Sequence, residues 1–178
     1  LGISKEDHII IYDNSNVISS CRCWYNFIYF GHDPKLVSVL DGGFRKWKKE
    51  SKTTSNEIIK FSKTEYMGKE LTSLVKDKVE INNNISKKDF VVIDARSKER
   101  FEGKVPDPRK NVRSGSIPNS ICLPFVKVIN EDYSFKNVAQ LKSLFENTLE
   151  KPTDKPIFSC GSGVTAVSYT HLTLPTKA

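Results

Sequence analysis

The sequence predicts an α/β protein in which parallel strands are flanked by helices. Three observations carry that prediction. Short apolar runs stop abruptly at polar loops, as strands buried on both faces do. Stretches with helical apolar spacing separate those runs, which is the alternation that parallel strands with crossover helices require. A strand followed by a sharp polar loop and a helix start also occurs twice, at opposite ends of the chain.

Taken in order, His8-Ile-Ile-Ile-Tyr-Asp13 is a continuous apolar run that ends in Asp-Asn-Ser and predicts a buried strand. A helix follows, because Val17, Cys21, Trp24 and Ile28 recur at steps of four and three and Gly31 supplies a stop. Leu36-Val-Ser-Val-Leu40 predicts a second strand, Asp41-Gly-Gly43 a turn, and Phe44 with Trp47 a short amphipathic helix. From Glu50 to about Tyr66 the chain turns to Ser, Thr, Lys and Asn with few apolar anchors, the composition of a linker over a surface. A weak helix is expected over 77–85, since Val79 and Ile81 can face inward while Asn82-Asn-Asn84 is poor helix material. Phe90-Val-Val-Ile-Asp94 predicts a third strand and Ser120-Ile-Cys-Leu123 a fourth. A helix follows over 137–149, with Val138, Leu141, Leu144 and Phe145 inward, and Pro156-Ile-Phe-Ser159 is the fifth strand.

Composition narrows the function. With 38% hydrophobic and 28% charged residues the chain can bury a core. Its net charge of +7 comes from lysines scattered among acids, with no basic stripe interleaved with stacking aromatics, so no nucleic-acid partner is expected. A mildly positive field suits a small anionic substrate instead. No apolar run is long enough to span a bilayer, so no membrane partner is expected either. Cys21, Cys23, Cys122 and Cys160 lack the paired spacing of a zinc site, which points to free thiols in a reducing compartment. Cys21 and Cys23 read as core packing of their helix and Cys122 as a buried strand residue. The chain reads as cut at both ends.

The chemistry concentrates at Pro156-Ile-Phe-Ser-Cys160-Gly-Ser-Gly-Val-Thr165. Two glycines and a serine after the cysteine let the backbone curl so that successive N–H groups face the sulfur. A free thiol is only slightly ionised near neutral pH, and a ring of amide donors is a way to keep one nucleophilic. Laying Ile11-Tyr-Asp13-Asn-Ser15-Asn-Val17 over Phe158-Ser-Cys160-Gly-Ser162-Gly-Val164 puts Asp13 in the place of Cys160. One copy of the repeat therefore holds a nucleophile and the other does not. The first copy goes on to an amphipathic helix, whereas the second runs into residues 167–178, which contain a proline and no helical stripe. That stretch is expected to be a non-native tail outside the fold.

Asp94-Ala-Arg96, Arg100-Phe-Glu-Gly103, Pro106-Asp-Pro-Arg109, Gly115-Ser-Ile-Pro118 and Cys160-Gly-Ser-Gly-Val-Thr-Ala166 occur in that order, and Asp41-Gly-Gly-Phe-Arg-Lys-Trp47 closes the first half. In this ensemble the chain resembles the tandem-rhodanese sulfurtransferases, and its cysteine loop resembles their 3-mercaptopyruvate branch. The resemblance implies two rhodanese-like domains, each a parallel sheet flanked by helices and each truncated here. Residues 1–50 would end an inactive N-terminal domain, 51–74 form the linker and 75–166 the catalytic domain. The Cys160 thiolate would take sulfur from 3-mercaptopyruvate, release pyruvate and pass the persulfide's sulfur to a thiol such as thioredoxin, or to cyanide. Thiosulfate is the alternative donor, and a catalytically dead binding remnant the alternative outcome of truncation. No metal or organic cofactor is implied, and the location would be cytoplasmic, or mitochondrial in a eukaryote.

The resemblance also assigns roles to residues. Arg100 and Arg109 match the two substrate arginines, whose planar forks suit a carboxylate and a carbonyl at about 1.5–3 kcal/mol per charged hydrogen bond. The bland alternative is that they merely pair with Glu99, Glu102 or Asp107. Gly161, Ser162, Gly163, Val164 and Thr165 complete the substrate loop, with Ser162 as hydrogen-bond donor or proton relay and Thr165 capping the helix start. Gly161 and Ser162 stand where thiosulfate-using relatives place basic side chains, which favours mercaptopyruvate. Thr165 and Ala166 stand where a cysteine phosphatase needs arginine, so phosphatase chemistry is not expected. Asp94 reads as ordering the loops of the cleft, and Ser116 replaces the histidine usual in its motif.

Overall fold

The structure of the protein, a computed structural model, describes residues 2–149 and 156–173. Two strands, β1 (Ile9–Ile11) and β2 (Val37–Val39), pair in parallel with Ile10 beside Ser38. The crossover between them is helix α1 (Ser20–Tyr29), which buries Cys21, Trp24 and Ile28 on the predicted stripe. The turn into α2 (Gly43–Lys49) puts Gly42 and Gly43 at φ +76° and +58°. A Cβ on Gly43 would lie 2.6 Å from the Asp13 carbonyl, so the turn closes against the loop after β1 only with glycine there.

Residues 52–71 have no regular structure and are mostly exposed, as the composition predicts. They are nonetheless tied to the first half. The N–H groups of Lys69 and Leu71 donate to the carbonyls of Phe30 and Tyr29, and the Tyr66 hydroxyl lies 2.8 Å from His32 Nδ1 in a hydrogen bond.

Helix α3 (Lys78–Lys87) starts on a reciprocal capping box between Asp77 and Glu80. Asn84, a poor helix former, is buried and clips the helix to the strand that follows. Its Nδ2 donates to the Phe90 carbonyl at 2.8 Å and its Oδ1 accepts from the Phe90 N–H at 3.0 Å. Strand β3 (Val91–Asp94), the one-turn helix α4 (Lys98–Phe101), strand β4 (Ile121–Cys122), helix α5 (Val138–Thr148), strand β5 (Pro156–Ser159) and helix α6 (Ala166–Thr173) complete the chain. The second sheet is parallel, in the order β4-β3-β5. Its central strand is the continuous apolar run, with Val92, Ile93 and Asp94 all buried.

Register then gathers the chemistry at one edge. Asp94 pairs with Cys122 on one side and Ser159 on the other, and the Ala95 N–H donates to the Ser159 carbonyl at 2.8 Å. Residues just past all three strands therefore meet at their carboxyl ends, where α/β sheets form their sites.

Several expectations are corrected. Val79 and Val138, expected to face inward, are exposed because they lie on the solvent side of α3 and α5, and Cys23, expected to pack in the core, is exposed on α1. Residues 167–173 are not a tail outside the fold. They belong to α6, whose Tyr169 is fully buried, donates its hydroxyl to the Leu123 carbonyl at 2.6 Å and stacks on Phe158 at 5.2 Å. Ala166, Val167, Ser168 and Tyr169 are buried in succession, so the helix start meets protein all round and carries no one-sided stripe. Residues 174–178 of that stretch lie outside the described residues. Cys122 is half-buried, not buried, at the end of its short strand.

The two halves share a core. Ile18 and Cys21 pack in one cluster with Ile93, Leu123, Val128 and Tyr169, and α1 lies against α6. Two polar contacts reinforce that seam. The Phe135 N–H donates to Asp41 Oδ1 at 2.8 Å, and the Arg45 guanidinium sits 4.6 Å over the Tyr133 ring. Among the described residues no helix is long and apolar enough to cross a membrane.

Candidate active site

Cys160 directly follows β5, and six residues later α6 begins. Gly163, in the left-handed region at φ +73°, turns the loop so that its N–H donates to the Cys160 Sγ at 3.1 Å. Burial alone would push this thiol up. The Thr165 hydroxyl and the N–H groups of Ala166, Thr165 and Ser162 outweigh it, and hold the thiol below its ordinary value. The other three cysteines move the opposite way: burial raises Cys23 and Cys122, and pushes the fully buried Cys21 up to about 12. Thr165 stands immediately before α6, as the sequence predicts, but its hydroxyl serves the sulfur.

Beside this loop lies a cleft of about 480 Å³ whose walls include Arg100, Arg109, Gly161, Ser162, Val164 and Thr165. Cys160 and Gly163 belong to the same loop but are not part of that lining. The structure brings the two predicted arginines against the residue next to Cys160. A Cβ on Gly161 would lie 3.0 Å from Arg100 Nη2 and 3.2 Å from Arg109 Nη2. Arg109 Nη1 also donates to the Gly161 carbonyl. The Cys160 charge is one of the causes that raise the Arg109 pKa, after the hydrogen bond and the charge of Asp107. Ser162 is exposed, and its hydroxyl makes no hydrogen bond among the described residues, so it is available to a ligand.

Both arginines do pair with an acid, and it is Asp107. Glu99 and Glu102 do not reach them. Asp107 Oδ2 accepts from Arg100 Nη2 at 2.6 Å and Oδ1 accepts from Arg109 Nε at 2.9 Å. The two guanidiniums hold its carboxyl well below the usual range. Asp94 does order the loops: its carboxylate takes the Arg96 fork at 2.6–3.0 Å, and Arg96 Nη2 goes on to donate to the Gly115 carbonyl. Sequence reasoning missed two cleft features. Val17, from the first half, lines the cleft, and Arg22 of α1 reaches the Gly163 carbonyl. Their only sequence signal is a place just after the Asp13 loop, whose counterpart holds Cys160.

That counterpart loop also cradles an anion. Asp13 Oδ2 accepts from Ser19 Oγ at 2.6 Å, Ser15 Oγ at 2.7 Å and the Ser20 N–H at 2.9 Å. Burial raises its pKa, but these bonds prevail and lower it. The same placement carries a carboxylate of lowered pKa in one half and a thiol of lowered pKa in the other.

Comparison with known proteins agrees with this fold. The rhodanese-like domain profile matches residues 1–50 and 77–176. The thiosulfate/3-mercaptopyruvate sulfurtransferase 1, mitochondrial, of Arabidopsis thaliana is 36% identical over 188 residues, covering 93% of this chain and 49% of that protein. The 3-mercaptopyruvate sulfurtransferase of Mus musculus is 37% identical over 171 residues, covering 93% of this chain and 56% of its own length. The crystal structure of SseA from Escherichia coli, described as a 3-mercaptopyruvate sulfotransferase with the rhodanese fold, superposes with a TM-score of 0.82 at 26% identity. It is matched over 98% of this chain and 66% of that one. The chain thus spans about half the length of the curated relatives it matches. On fold, motif order and sequence alike, the chain belongs to the rhodanese-like domain family.

Proposed function

We propose that the chain forms the catalytic part of a sulfurtransferase that moves sulfur from 3-mercaptopyruvate to a thiol acceptor. One observation carries the reading: a thiol held below its ordinary pKa by a loop whose next residue abuts two guanidiniums. The Cys160 thiolate attacks the substrate's sulfur. A new S–S bond forms, the C–S bond breaks, and its electron pair leaves on carbon as the enolate of pyruvate. Protonation of that enolate gives pyruvate, and Ser162 is placed to donate a hydrogen bond during this step. Arg100 and Arg109 hold the substrate carboxylate and carbonyl, and stabilise the charge that builds up on the enolate oxygen. An acceptor thiolate, of thioredoxin or a small thiol, then attacks the outer sulfur and returns Cys160 as thiolate; cyanide would leave as thiocyanate.

The Arabidopsis relative is named for thiosulfate as well, which makes thiosulfate the competing donor. Against it stands Gly161, which adds no positive charge to the loop and has little room for a side chain beside the two forks. A thiolate-dependent reaction suits a reducing compartment, cytoplasmic or mitochondrial. The test is pyruvate release from 3-mercaptopyruvate with a thiol acceptor, with thiosulfate in parallel. Release that disappears in Cys160→Ser supports the reading. Equal release by both proteins ends it, and faster turnover of thiosulfate reverses the choice of donor.

A further inference from the structure

One carboxylate serves both substrate forks. The Asp107 side chain is 1% exposed, between Pro106 and Pro108, and accepts from Arg100 Nη2, from Arg109 Nε and Nη2, and from the Arg109 N–H. Arg96, the third guanidinium in the cleft lining, is paired with Asp94. Among the side chains that line the cleft and the acids they pair with, three guanidiniums meet two carboxylates, a single net positive charge; Arg22, outside that lining, faces the Cys160 loop. The neighbouring Glu102 does not alter this, because it pairs with Lys104 at 2.6 Å and Lys98 at 3.8 Å. Arg100 Nε, in contrast, is buried with no partner among the described residues, a donor that a ligand oxygen would satisfy.

We propose that Asp107 is a specificity-determining residue: by cancelling one of two substrate charges, it fits the cleft to a singly charged 2-oxo acid and disfavours a doubly charged oxyanion. The physical reason is that charge brought into a partly desolvated site must be matched there. A monoanion neutralises the wall. A dianion leaves one negative charge over, beside the Cys160 thiolate. Without Asp107, two positive charges would meet the ligand, and the dianion would become the better match. This inference rests on the substrate reading above, but binding alone tests it.

The full chain is alkylated at Cys160 with iodoacetamide while pyruvate, a singly charged 2-oxo acid, or sulfate, a dianion, is titrated in as protectant. In the wild-type chain, pyruvate should give half-protection at a lower concentration than sulfate. In Asp107→Asn the ratio of the two concentrations should move towards sulfate by about tenfold, the order of one charge-assisted contact. Asp107→Glu, which keeps the charge, should retain the wild-type ratio. A purely structural role would weaken both protectants together and leave the ratio in place, and that result overturns the proposal. If Asp107→Asn does not fold, the wild-type comparison decides: sulfate protecting as well as pyruvate overturns it equally. Loss of Cys160-dependent pyruvate release would instead count against the sulfurtransferase reading, since protection needs no turnover.

Discussion

Arg22 of the first half donates from Nη1 to the carbonyl of Gly163 in the cysteine loop, at 3.4 Å and across 141 residues of chain. Gly163 is the residue whose N–H points at the Cys160 sulfur, and it holds that pose from the left-handed region. A guanidinium on its carbonyl braces the next peptide and brings a positive charge to the loop. The first half of the molecule thus bears on the Cys160 loop of the second.

Removing the brace should show in the thiol itself. Arg22→Gln is expected to raise the apparent pKa of Cys160 alkylation and slow the reaction at neutral pH several-fold, roughly threefold to tenfold. Arg22→Lys should recover part of the loss through charge alone. The measurement is the iodoacetamide rate against pH, and a profile identical to wild type would show that Gly163 keeps its pose unaided.

The depressed thiol pKa links ionisation to stability. Cys160 falls below its ordinary value of 9.0 on folding, so its contribution is fully present above the unfolded value and fades as pH drops through the folded one. The difference in thermal midpoint between wild type and Cys160→Ser should therefore widen as pH rises towards about 9 and then level off. Scanning calorimetry across that range checks the sign. A difference that shrank with rising pH would contradict the hydrogen-bonded thiolate.

Gly161 faces the forks at distances tighter than ordinary contacts, 3.0 Å and 3.2 Å for an added Cβ. Guanidinium ends usually swing away, but here both are tied to the buried Asp107. Gly161→Ala should therefore displace them by a few tenths of an ångström and raise KM for mercaptopyruvate by up to about tenfold, with a smaller change in kcat. Steady-state kinetics reads the split. A fall in kcat at constant KM would place the damage in the chemistry and not in the substrate binding proposed for Arg100 and Arg109.

How much of this was legible depended on whether a residue's neighbours lie close in sequence. The runs around Ile9–Ile11 and Val91–Asp94 read directly as strands, because burial on both faces leaves no polar alternation. Cys160 read as reactive because its donors come from the next six residues. Asp107 was visible only as one of three acids near the arginines, since the choice among them depends on how the loop folds back over 100–109. Arg22 was invisible as a loop brace, because its partner is brought to it only by the packing of α1 on α6. The start of α6 escaped for the opposite reason, being buried on every side and so without a periodic stripe.

That helix yields the last prediction. Tyr169 is the side chain that fastens α6 to the second sheet, stacked on Phe158 and edge-on to Phe145, with its hydroxyl on the Leu123 carbonyl. Burial pushes its own pKa up, so it stays a neutral donor across the working range. Tyr169→Phe keeps the rings and loses one buried hydrogen bond, about 1 kcal/mol. Tyr169→Ala opens a cavity as well and should cost about 3–5 kcal/mol in urea unfolding. Because α6 begins at Ala166, whose N–H is among the groups that lower the Cys160 thiol pKa, the alanine variant should also raise that pKa, while the phenylalanine variant should leave it near wild type. Equal thiol reactivity in all three proteins would mean that the cysteine loop keeps its shape without the helix behind it.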